Sequence, residues 1–282
     1  MLDAFAEPVV RLIALPAGVS LILATLLRWI GAGGRAARLA GAVPAIVFAW
    51  IAAFELGVPL YPPVADDNGL FYLIAAALGV GISLDLWRGE DDAPIRPLEA
   101  ALALAFALGA AAWLRGALDA WTALLVAGWM IVVLRLRFVA NADAPTASAL
   151  LALAGAGLSL SASTAGLEGE RDLALAFASA AAGHFILAWL SSSAPFGATL
   201  MLSGGGALLI LAVRLFETTH ALAPALLILG FVFFADDPFR RLLGRRLTRL
   251  AWAMPAFAAL AALLPLGLAA LAAYVGVNFE AN

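Results

Sequence analysis

Few residues in this chain could do chemistry inside a membrane, and His184 is the foremost. It lies about eleven residues into an apolar run, where an imidazole could relay a proton, ligate an ion or donate a hydrogen bond to a polar solute. The blander alternative is a neutral histidine held by a nearby serine or a backbone carbonyl. Arg11, Glu55, Asp119, Arg214 and Glu217 form a second group. Each falls near the same end of its run, and Arg214 and Glu217 are spaced to pair on one helix face. An ionisable side chain at a helix centre costs about 2.5–3.5 kcal/mol on insertion scales, so such groups usually face partners or function. Together they suggest a polar pathway for a small solute or ion. Snorkelling at the interface around one structural ion pair is the competing account.

Other chemistries are less well supplied. Ser203 and His220 are separated by seventeen residues, roughly 25 Å of helix, too far for a nucleophile and its base. The acid clusters Asp66-Asp67 and Glu90-Asp91-Asp92 fall in loops on opposite sides of the membrane and lack the spacing of a magnesium–diphosphate site. No cysteine is present, which excludes disulfides, a thiol nucleophile and cysteine-ligated metals. No motif calls for a metal or another cofactor. Ser203-Gly204-Gly205-Gly206 could be an unwound helix segment exposing backbone to a ligand, or a face that lets helices pack closely.

The elements that must position these residues are transmembrane helices. The chain is 65% hydrophobic and 12% charged, with a mean hydropathy of +1.02. A soluble domain carries about 25% charge, so a water-facing surface could not be covered. A net charge of −3 argues against a nucleic-acid partner. Apolar runs near 20 residues predict a single all-α, polytopic membrane helix bundle over residues 1–282. Ten spans are expected, at about 8–30, 40–60, 69–87, 98–114, 117–134, 145–165, 173–190, 198–216, 219–235 and 251–277. Pro255 and Pro265 in the last mark expected kinks. The acidic start, Met1 to Glu7, lacks the basic region of a cleavable signal.

Orientation follows from arginine, the only basic residue type apart from histidine. Arg240, Arg241, Arg245, Arg246 and Arg249 crowd one turn, which predicts a cytoplasmic loop. Alternate loops then carry Arg35 and Arg38, Arg88 and Arg96, and Arg135 and Arg137. The opposite loops hold Asp66 and Asp67, then Arg115 alone, then Glu168, Glu170, Arg171 and Asp172, then Glu217 and His220. Both termini are therefore expected outside the cytoplasm. The all-arginine, Ala/Leu/Gly-rich composition suggests a GC-rich bacterial genome and thus a bacterial inner membrane. Five spans on either side of residues 135–144 would suit an inverted repeat, although the two halves show no sequence similarity.

Three functions remain open: a transporter-like protein for a small solute or ion, a non-catalytic subunit packing against partner membrane proteins in the lipid bilayer, and an enzyme acting on a lipid-linked substrate. A non-enzymatic role is favoured. Because the chain has no cysteine, one introduced at Thr248 is a clean topology reporter. It should be shielded from a membrane-impermeant thiol reagent added outside, and labelling there would invert the orientation.

Overall fold

The computed structural model describes residues 7–30, 35–57, 59, 69–88, 97–191, 196–243 and 251–280. Among them the ordered elements are all helical, and ten helices are long and apolar enough to cross a membrane. A π-type turn, Val10–Ala14, leads into α1 (Leu15–Ile30), and a 3-10 stretch, Arg35–Ala42, into α2 (Val43–Leu56). Then come α3 (Gly69–Arg88), α4 (Pro97–Arg115), α5 (Ala120–Ala142), α6 (Ala144–Thr164), α7 (Glu168–Leu190) and α8 (Ala198–Thr218). The ninth span, His220–Arg241, is broken: 3-10 turns flank α9 (Ala223–Leu229), and α10 (Asp237–Leu243) continues it. The last helix, α11, runs Met254–Glu280, with Pro255 in its first turn and Pro265 inside it.

Helix ends differ from the expected spans in two informative places. α5 extends to Ala142, so Arg135 and Arg137 sit on its last turns and not in a loop, and Asp143 alone joins it to α6. α7 begins at Glu168, which places Glu170, Arg171 and Asp172 on the helix. In a bilayer the backbone must bond to itself, and helix extension satisfies more of it than a loop does. Ten successive crossings would put the start of α1 and the end of α11 on one side of the bundle, here the terminal face, and α10 on the other, here the arginine-turn face.

The bundle is built around α8, which is buried along nearly its whole length. Ser203 to Gly206 is regular helix, and its glycines are packing surfaces. A Cβ on Gly204 would meet Leu151 at 2.7 Å, and one on Gly206 would meet Phe106 at 3.1 Å. Ser203 returns its hydroxyl to the Thr199 carbonyl, 2.7 Å away.

A buried helix needs its terminal N–H groups satisfied. Gly197, at the N-cap position of α8, has no side chain to do so. Asp85 of α3 does it from outside: its carboxylate accepts the Ala198 and Thr199 N–H groups, each at 2.8 Å, and the Thr199 hydroxyl at 2.6 Å. Asp85 is 1% exposed and sits at the positive end of the α8 helix dipole. Arg137 of α5 donates to the Phe196 carbonyl at 3.2 Å, holding the same turn from another side. The approach depends on glycine. A Cβ at Gly81 would lie 2.7 Å from the Thr199 Cα, and one at Gly197 would lie 2.5 Å from an Asp85 oxygen.

Removing the Asp85 carboxylate strands buried donors, each worth about 1–3 kcal/mol. Asp85→Ala should therefore lower unfolding stability in detergent by about 3 kcal/mol or more. Gly81→Val should do likewise through its backbone clash. Gly79→Ala, two residues away where a Cβ meets nothing within 4 Å, should be neutral or slightly stabilising. Equal effects at positions 79 and 81 would contradict this packing.

Candidate functional site

His184 is 1% exposed on α7. Its Nδ1 lies 3.3 Å from the Ser148 hydroxyl of α6, and its Nε2 makes no hydrogen bond among the described residues. The neighbouring Gly183 seats α1, since a Cβ there would fall 2.2 Å from the Ala17 carbonyl oxygen. His184 thus belongs to the close packing of α1, α6 and α7, toward the arginine-turn end of α7.

The charged residues expected to share its pathway are held elsewhere, in three separate groups on the terminal face. Arg11 pairs with Glu55 at 3.1 Å. Arg214 donates two hydrogen bonds to one Glu170 oxygen, at 3.0 and 2.8 Å. Glu217 pairs not with Arg214 but with Arg115, at 2.9 Å, and Arg115 also donates to Asp119 at 2.9 Å. The expected Arg214–Glu217 pair is displaced because α7 starts five residues earlier than its apolar run, which puts Glu170 on the helix within reach of Arg214.

The Arg115 group is the most constructed of the three. Gly116 turns the chain out of α4 in the left-handed region, at φ 65°, which a residue with a Cβ adopts only with strain. Asp119 then caps α5 by accepting the Thr122 N–H at 2.8 Å and the Thr122 hydroxyl at 2.9 Å. The backbone hydrogen bond from Thr122, then the hydroxyl bond and the Arg115 charge, hold the Asp119 carboxyl below its ordinary pKa. The Arg115 guanidinium stands over the Phe216 ring, 5.1 Å from its centroid. His220 stacks on that ring at 4.6 Å, and Trp121 leans against it at 5.4 Å. His220 Nδ1 bonds the Phe216 carbonyl at 2.8 Å.

Phe216 and Trp121 also line the terminal-face end of a lateral cleft. α5 and the ninth span form its walls, through Leu124, Gly128 and Trp129 on one side and Leu226, Leu227 and Gly230 on the other. Leu208 and Ala212 of α8 are in its floor, and its volume is about 170 Å³. The lining is almost wholly apolar, because the Trp129 indole N–H is committed to the Gly205 carbonyl at 2.7 Å. Leu124 and Leu227, 45% and 57% exposed, form lips on the outer surface of the bundle. From Trp121 to Val132 the cleft follows eleven residues of α5, about 16 Å. That is one leaflet of a hydrocarbon core about 30 Å thick.

The arginine-turn face carries a denser ion network. Arg135 bonds Asp236, at 2.7 Å, and Asp237, and donates through Nε to the Phe233 carbonyl at 3.1 Å. Arg240 also bonds Asp236, while Arg241, largely exposed, lies 3.7 Å from Asp237. Arg245, Arg246 and Arg249 fall outside the described residues, as do Asp66-Asp67 and Glu90-Asp91-Asp92. Arg115, Asp85, Arg135 and Asp236 were not among the expected site residues. The one signal for Asp85 was an acid inside an apolar run, two residues before its end at Trp87.

No protein-family model matches this sequence, and no curated protein matches it either. Its functional reading therefore rests on geometry.

Asp143, between α5 and α6, gives a pH test of the arginine-turn network. Burial raises its carboxyl above the ordinary value, with the negative Asp236 adding to the rise; the Thr146 hydrogen bonds and the Arg240 charge offset part of it. Folding thus favours the protonated form. This contribution is fully present below the ordinary carboxylate value and is lost as pH rises through the raised one. In thermal unfolding across pH 3–8, Asp143→Asn should gain stability relative to the native protein as pH rises. Parallel curves would contradict the assignment.

Proposed function

We propose that this integral membrane protein binds the hydrocarbon chain of a lipid-class molecule in the lateral cleft between α5 and the ninth span. The observation that carries this reading is the cleft itself: apolar, open sideways through Leu124 and Leu227, and one leaflet deep. At about 170 Å³ it falls below the roughly 300–1,000 Å³ typical of a pocket that encloses a whole small molecule. It suits part of a molecule whose remainder lies in the bilayer or at its surface. An apolar cavity of this order takes up apolar guests and excludes water.

This reading is nearest to the lipid-linked class among the three functions open from sequence, with binding and not catalysis as its content. We place the protein in a bacterial inner membrane with the arginine turn in the cytoplasm, which makes the cleft a feature of the outer leaflet. Transport of a small ion keeps one favourable observation, the buried Nε2 of His184 with no hydrogen bond. In that account His184→Gln would abolish flux while leaving lipid retention intact.

Gly128 offers a direct test, because a Cβ there meets nothing within 4 Å and a larger side chain has room in the cleft. The native protein, extracted in mild detergent and weighed by native mass spectrometry, should retain a long-chain lipid. Gly128→Phe should lower that retention about tenfold with unchanged thermal stability. Equal retention by the two proteins would overturn the reading.

A further inference from the structure

The mouth of the cleft is chemically specific, and the following rests on the lipid-chain reading. Phe216 belongs both to the cleft wall and to the charged group above it, since Arg115 and His220 lie against its ring. Arg115, with its partners Asp119 and Glu217, is thus the charged group adjoining this end of the cleft. That trio is unbalanced, with one guanidinium facing two carboxylates.

The positive partner is buried and incompletely used. The Arg115 side chain is 8% exposed, and its Nη1 has no hydrogen-bond partner among the described residues. A buried N–H of this kind is costly unless something accepts it. The carboxylates are the open side of the site: the Asp119 and Glu217 side chains are 41% and 38% exposed, so their remaining lone pairs face outward. The pattern is thus a sheltered donor for an anion, flanked by two accessible acceptors for a cation.

We propose that this mouth takes a phospholipid headgroup bearing a primary amine. A phosphate oxygen accepts from Arg115 Nη1, and the ammonium donates to Asp119 and Glu217. Alternating the charges this way makes charge-assisted hydrogen bonds on both sides. A phosphodiester without an amine brings a further negative charge to a site that already has an excess of one. A trimethylated amine restores the charge balance but has no N–H to donate to the carboxylates.

The test uses the full chain, purified and exchanged against mixed vesicles holding equal amounts of phosphatidylethanolamine, phosphatidylcholine, phosphatidylglycerol and diacylglycerol with identical chains. Native mass spectrometry counts the lipid retained. The ethanolamine lipid should be retained about tenfold over each of the others. The double variant Asp119→Asn, Glu217→Gln should lose that preference yet still carry lipid. Asparagine caps a helix as well as aspartate does, and Glu217 is partly exposed, so the fold is preserved. Equal retention of the ethanolamine and choline lipids, or a preference unchanged in the double variant, would overturn the headgroup assignment and leave the chain site standing. Retention of no lipid by the native protein would instead overturn the chain site, and the headgroup site with it.

Discussion

The rest of the structure depends on the capping of α8 by Asp85. A helix buried along nearly its whole length inside a bundle cannot leave its first N–H groups to water, and no residue of its own N-terminal turn supplies a carboxylate. A carboxylate from α3 reaches them because glycines at positions 81 and 197 remove the side chains that would keep the helices apart. A carboxyl group at that depth would be a liability without partners. With three short hydrogen bonds and a helix N-terminus it becomes the pin that fixes the register of α3 against α8. The remaining helices dock on a spine whose position is thereby set.

Around that spine, charge is sorted into two polar layers with an apolar slab between. On the terminal face Arg11, Arg115 and Arg214 each meet an acid from another helix. On the opposite face Arg135 and Arg240 share Asp236. Such pairs are individually modest where they are exposed, yet all but the local Arg240–Asp236 pair tie different helices at a defined depth. The cleft lies in the slab just below the Arg115 group. Small residues at 128, 212 and 230 thin the walls and floor there, while Trp121 and Phe216 line the end nearest the Arg115 group.

Much of the architecture was legible in the sequence, for a simple reason. Backbone satisfaction in hydrocarbon leaves helices as the ordinary solution for a single apolar run, so hydropathy alone gives ten helices in order. The ion pairs connect residues that arginine sorting had already assigned to the same face. What was not legible is partner choice. Arg214 looked committed to Glu217 three residues away, but the early start of α7 delivers Glu170, and Glu217 goes to Arg115. Asp85 gave no hint of its partner, since the N–H groups it serves are 113 and 114 residues distant. The cleft was hidden for the same reason: Gly128 and Gly230 read alike whether they admit a neighbouring helix or leave a space. Only the spacing of α5 from the ninth span decides between these, and that is set by helices elsewhere in the bundle.

The central claim is that a lipid chain occupies the cleft, and an experimental density map of the protein in a lipid nanodisc tests it most directly. The account predicts a continuous tube of density along α5 from Trp121 toward Val132, ending in a headgroup feature beside Arg115. A cleft closed by contact of Leu124 with Leu227, or open but empty of ordered lipid, would contradict it.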